Sequence, residues 1–223
     1  YFEQATRHIR TLPKLEGTVH VNLALVLKFL PAYAAAAAGK PVAYSAVPVR
    51  LDPADDAFLF AQGPASGLSR IGFQDWRAAF MRFAHLPNVA AFLAQVQAFG
   101  QFMAAAGPQG EQGKDLDFLL SIGQIFTQVV YAQLVAEAAA LAIDGAADGT
   151  RSGTTSACAG LGEAHVDRMF AVFVQDVSEY AVALHGQASA TRAQQSAALT
   201  LVQRPHSDGS AAAALHEEIV ACA

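Results

Sequence analysis

Apolar residues recur along this chain at helical spacing. From Tyr1 to Leu12, the residues Phe2, Ala5, Ile9 and Leu12 share one face while Glu3, Gln4, Arg7 and Arg10 point away, which predicts an amphipathic helix. Pro13 ends it, because proline cannot donate a backbone hydrogen bond and restricts the residue before it. Thr18 is a natural N-cap for the next run, Val19 to Leu30, which is apolar on nearly every side except at Asn22 and Lys28. That pattern predicts a helix buried in a large core and closed by Pro31. From Pro31 to about Gln74 the periodicity dissolves into the low-complexity AYAAAAAGKP and a stretch punctuated by Pro41, Pro48, Pro53 and Pro64. The length predicts an extended segment on the surface or on a partner, with one short helix over ADDAFLFAQ behind Asp52-Pro53.

Helical spacing returns in DWRAAFMRFAHL, breaks at Pro87 and resumes through VAAFLAQVQAFGQFMAAAG. Trp76, Phe80 and Phe83, followed by Phe92, Phe99 and Phe102, read as core filling. Asp117 to Ile143 predicts one long helix, about 40 Å at 1.5 Å per residue. A Gly/Ser/Thr-rich linker, DGAADGTRSGTTSACAGLG, precedes the clearest amphipathic helix of the chain. There Val166, Met169, Phe170, Phe173, Val177, Tyr180, Ala181 and Leu184 follow the helical repeat, and Gly186 suits the position just past its end. Thr191, three residues before Gln194, has capping-box spacing for a helix that stops at Pro205. The alanine-rich tail GSAAAALHEEIVACA predicts a weakly held final helix. No stretch alternates as a strand. The expected fold is all-α, in segments 1–30, 31–73 (extended and proline-rich), 74–145 (helical bundle), 146–161 (linker) and 162–223 (C-terminal helices).

Composition narrows the function classes. With 53% hydrophobic and 15% charged residues, the chain is more apolar than an average soluble domain, which predicts interfaces with further domains or subunits in addition to a core. A net charge of −5 without any basic run argues against a nucleic-acid partner. Cys158 and Cys222 form neither a CxxC pair nor a disulfide framework, in keeping with a reducing, cytoplasmic setting. The apolar length of Asp117 to Ile143 approaches that of a membrane span, but Gln124, Gln128 and Gln133 would lie in the hydrocarbon, so a buried bundle helix is expected and no span. The opening at Tyr1, with polar and apolar residues interleaved, predicts a piece of a longer protein.

Little in the chain has the spacing of chemistry. The seven histidines show no metal-ligand spacing, GPASG lacks both the register and the strand of a nucleophile elbow, and no glycine-rich phosphate loop is present. Glu16-Gly17-Thr18 stands out. Pro13 stops one helix and Thr18 starts another, so Glu16 falls in the elbow between them. Gly17 permits close approach of a ligand or another backbone, and the N-terminus of the second helix offers N–H groups and the positive end of a dipole to a pyrophosphate. A carboxylate beside an apolar cleft has its ionised form disfavoured, which raises its pKa toward the range of a general base. The plainer alternative is an exposed turn glutamate stabilised by the helix dipole.

The stretch FEQATRHIRTLPKLEGTVHVNLAL resembles the C-terminal helical domain of the acyl-CoA dehydrogenases, where an arginine-bearing helix meets a Glu-Gly-Thr corner and another helix. DLDFLLSIGQIFTQVVYAQLVAEAA and VDRMFAVFVQDVSEYAVALHGQASATRAQQSAALTLVQRP resemble the C-terminal extension of a bacterial subgroup of that family. The resemblance implies FAD-dependent α,β-dehydrogenation of an acyl-CoA thioester. Glu16 matches the α-proton base, Gly17 the residue whose backbone lies along the thioester, and Thr18 a contact to the FAD pyrophosphate. His20 falls where many members place a glutamine near the flavin. It further implies an electron-transfer flavoprotein-like acceptor, a homo- or hetero-oligomer, and absent N-terminal and middle β-domains. A helical scaffold or assembly subunit of the same fold, without catalysis, is the competing expectation.

Overall fold

The structure, a computed structural model, describes residues 3–4, 18–36, 73, 75–147, 162–207 and 209. The expected first helix apart from Glu3 and Gln4, most of the proline-rich segment with its short helix, the linker and the alanine-rich tail lie outside the described residues. Every regular element among those described is helical, as the periodicity requires: α1 (Val19–Leu27), α2 (Leu30–Ala36), α3 (Trp76–Met81), α4 (Pro87–Ala106), a 3₁₀ turn (Gly110–Lys114), α5 (Leu116–Ala147), α6 (Glu163–His185) and α7 (Arg192–Leu199).

The helix boundaries follow from individual residues. Thr18 caps α1, its hydroxyl accepting from Val21 N at 3.4 Å. Pro31 acts earlier than expected. A proline ring clashes with the carbonyl four residues before it, and α1 ends at Leu27. The chain turns through Lys28 and Phe29 and restarts as α2, bent by 47°, with Pro31 in its first turn where no N–H is needed. Asp75 caps α3 by accepting from Arg77 N at 3.0 Å, and Pro87 occupies the first turn of α4. The helix expected from Asp117 to Ile143 extends over Leu116–Ala147, 32 residues and about 48 Å. The capping box forms as its spacing predicts: Thr191 Oγ1 accepts from Gln194 N at 3.3 Å, and Thr191 N donates to Gln194 Oε1 at 2.8 Å. Gly186 departs from expectation, since it closes α6 in ordinary right-handed geometry (φ −79°).

The helices share one apolar core that runs from Tyr33 to Leu201. α5 packs on α1, α3 and α6, while α4 packs on α6 and α7. All six aromatics of the Trp76 and Phe92 series are buried. Phe80, Phe92, Phe170 and Phe173 meet at centroid distances of 5.4–6.0 Å, mostly edge to face, which suits the ring quadrupoles. On α6, Val166, Phe170, Phe173, Val177, Ala181 and Leu184 are buried as their spacing predicts. Gly123 sets the crossing of α1 over α5: a Cβ there would lie 3.4 Å from both Leu23 O and Leu27 Cγ.

Three buried amides fasten the end of the bundle. Asn88 Nδ2 donates to Asp167 Oδ2 (2.7 Å) and His206 O (3.1 Å), while its Oδ1 accepts from His206 N (2.7 Å). Gln95 Nε2 lies within 3.0 Å of Val174 O, Ser178 Oγ and Leu201 O. Gln194 exchanges two 2.9 Å bonds with Gln112 and donates to Ala106 O. Helical periodicity assigns these positions to the inward face but says nothing of their partners.

α1 corrects one expectation. The all-apolar run predicts a helix buried on every side, yet only Leu23 is buried, and Val19, Val21 and Leu25 remain 61%, 61% and 47% exposed. Burial requires neighbours on all faces, and among the described residues α1 has them on one, where it meets α5. Among the described residues two helices, Pro87–Ala106 and Leu116–Asp144, are long and apolar enough to cross a membrane by length and composition, and the bent pair α1–α2 would make a third if taken as one span. The outward side of α4 carries Gln97 and Gln101, and that of α5 carries Glu137.

Candidate functional site

The corner singled out by the sequence is described from Thr18 onward; Glu16 and Gly17 lie outside the described residues. Thr18 and His20 are both exposed, at the N-terminal end of α1. Residues two apart on a helix point in different directions, so one ligand group cannot meet both side chains from the same side. Thr18 Oγ1 already accepts from Val21 N. The N–H groups of Val19 and His20 have no intrahelical acceptor among the described residues, and the first turn carries no acidic side chain to compete for them. This helix end therefore keeps donors and partial positive charge for an anion. Beside it, Val19 and Val21 present apolar surface.

No family model, curated protein or solved structure matches the chain.

Several of the other described titratable groups are engaged in structure. His85 Nε2 lies 3.1 Å from Glu163 Oε2, His165 Nδ1 accepts from Gly162 N at the start of α6, and His185 Nδ1 lies 3.0 Å from Gln195 O. Among the described residues no group of three His, Cys, Asp or Glu is placed to hold a metal ion. The Arg82 guanidinium, 2.6 Å from Asp144, holds that exposed carboxyl below its ordinary range. Asp115 is likewise lowered, by hydrogen bonds from the Ser189 side chain and from the α5 backbone at Phe118. Asp176 is raised by burial and by nearby Glu179. Burial, reinforced by Glu137, pushes the Tyr33 phenol well above its usual range. It remains a neutral donor to Gln133 Oε1 at 2.6 Å, and Gln133 Nε2 passes the connection on to Glu137. None of these arrangements pairs a nucleophile with a base. Sequence periodicity carried no signal of the cavity that opens between α2 and α4, because spacing within one helix says nothing of the space left between helices.

Proposed function

We propose that this chain is the C-terminal helical part of an FAD-dependent acyl-CoA dehydrogenase, which desaturates an acyl-CoA thioester between its α and β carbons. The reading rests first on the Glu-Gly-Thr corner in its sequence context. The structural observation that carries it is Thr18 at the exposed N-cap of α1, ahead of a helix end whose first turn holds no acidic competitor. The N–H groups there suit a flavin pyrophosphate, whose oxygens need donors and positive potential. When bound, FAD supplies the hydride acceptor for the β-hydrogen. In this assignment Glu16 takes the α-proton, Gly17 lets the thioester lie close to the backbone, Thr18 contacts the pyrophosphate and His20 lies near the flavin ring. The exposed apolar side of α1 is consistent with a face that further domains or subunits cover in the whole enzyme.

The same reading makes the protein a cytoplasmic homo- or hetero-oligomer that passes electrons to a flavoprotein-like acceptor. It takes α4 and α5 as bundle helices, which fits the two glutamines on the outward side of α4 and Glu137 on α5. A second reading, a helical scaffold subunit of the same fold, is favoured by the bundle itself, where the described polar clusters tie helices together.

The test is Glu16→Gln in the protein carrying its flavin-binding domains. FAD content should be unchanged and turnover should fall by about 10²–10⁴-fold, the usual contribution of a positioned general base. Near-normal turnover would remove Glu16 from the reaction, and an inactive parent protein that holds no FAD would favour the scaffold.

A further inference from the structure

The outward side of α6 carries an ordered run of charge. Arg168, Val172, Gln175, Glu179 and Val182 follow one another at steps of three and four residues and are all exposed, so they form one stripe along about four turns of the helix. Val172 and Val182 stay 56% and 53% exposed, which leaves apolar surface between and beyond the charges. The two charges of the stripe lie toward opposite ends. Arg168 makes no hydrogen bond or ion pair among the described residues. Glu179 accepts a 3.0 Å hydrogen bond from Gln175 of its own helix and meets no cation among them. Asp176, beside the stripe, adds a second negative charge at the Glu179 end. Its carboxyl is raised by burial and then by Glu179, and no described cation relieves that repulsion.

Arg168 and Glu179 are eleven residues apart, close to three whole turns, so they point the same way about 16 Å from each other. That exceeds the Debye length of about 8 Å at physiological salt, and the two do not pair within one chain. A helix laid antiparallel on this face with the same sequence brings the two ends together. With a two-fold axis passing between Val172 and Gln175, Arg168 of each copy falls opposite Glu179 of the other, and both pairs form at once. Each arginine then also approaches the repelling Asp176–Glu179 pair, while each Val172 meets the apolar stem of the other copy's Gln175. A two-fold interface requires a patch complementary to itself, and this spacing supplies one. A parallel pairing sets Arg168 on Arg168 and Glu179 on Glu179, and the same charges oppose it.

We propose that the outward face of α6 is the surface through which two copies of this chain associate, antiparallel, with Arg168 of each copy against Glu179 of the other. The occupant is a second copy because the face carries its own charge complement in register. The inference uses no residue of the Thr18 corner and stands or falls apart from the flavin reading, although it gives the homo-oligomer of that reading a definite surface.

Sedimentation equilibrium of the full chain measures the association. Wild type should dimerise with a Kd below about 0.1 mM. Symmetry makes every substitution act twice. Arg168→Glu and Glu179→Arg should each weaken the dimer about tenfold or more, since each sets like charges against one another at two places. The double variant Arg168→Glu/Glu179→Arg should return Kd to within about threefold of wild type, the mark of two positions that couple. Because the two side chains are too far apart to pair in one copy, such rescue is intermolecular. Both positions are exposed, so circular dichroism should show the same helix content in all four proteins. A wild-type chain that stays monomeric at that concentration, single reversals that leave Kd unchanged, or a double variant as weak as the singles would overturn the proposal.

Discussion

Asn88→Ala should loosen the C-terminal end of the bundle from the rest. Asn88 is 1% exposed and joins three elements: α4, which carries it, α6 through Asp167, and the extended tail after α7 through His206. Truncation deletes one charge-assisted bond to Asp167 and two neutral bonds to the His206 backbone. The first is worth about 1.5–3 kcal/mol. The neutral bonds contribute about 0.5 kcal/mol each, at the low end of the range, since His206 is exposed and water replaces much of what it loses. Alanine returns some tenths of a kcal/mol in helix propensity. The sum is about 2–3.5 kcal/mol, or about 4–14 °C in Tm for a chain of this size. The bond from Asn88 N to Asp167 Oδ1 survives, so the loss belongs to the side chain.

Denaturant unfolding of wild type, Asn88→Ala, Asp167→Ala and the double variant gives the cycle. We expect coupling of at least about 1 kcal/mol between the two positions, because one charge-assisted side-chain bond joins them. Amide exchange gives a local readout: the His206 N–H should lose protection in Asn88→Ala while amides in the middle of α6 keep theirs. A loss below about 0.5 kcal/mol, or additive single variants, would refute the view that this amide fastens the tail.

Two further expectations follow from single contacts. Gly123→Ala should be neutral or stabilising by up to about 1 kcal/mol by thermal denaturation, since its Cβ sits at ordinary contact distance from α1 and alanine is the better helix former, whereas Gly123→Val should cost about 1–3 kcal/mol by forcing α1 off α5. Equal effects of the two would show that the helices do not cross closely there. Asp176→Asn should stabilise near neutral pH. The carboxyl is raised in the folded protein, so its favourable contribution is complete only below the unfolded value of about 3.9 and is lost as pH rises through the folded value. The advantage of the variant in Tm should therefore be present at pH ~7 and shrink toward pH ~4. A gain independent of pH would mean that burial and Glu179 do not act on that charge.

Much of this bundle was legible in the residues because a helix is a local object. Hydrogen bonds four residues apart, caps such as Thr18 and the Thr191–Gln194 box, and proline stops are written within one or two turns of chain. The 3.6-residue repeat likewise marked which side of α6 turns inward, since any buried helix must hide its apolar face. The Glu-Gly-Thr corner was legible as a pattern, of which the structure describes Thr18 alone, as the N-cap of α1.

Partners at long range were not. That Asn88 would find His206, or Gln95 the carbonyl of Leu201, depends on how helices distant in sequence come together, and an inward glutamine looks the same whether it is satisfied or not. The exposure of α1 has the same origin. Its residues specify an apolar cylinder, but only the packed arrangement determines which neighbours exist to cover it. The cavity beside Trp76 is the clearest case. Its wall mixes core residues such as Phe99 and Phe126 with exposed ones such as Pro31 and Gly100, and the space arises only from how four helices fail to fill the volume between them.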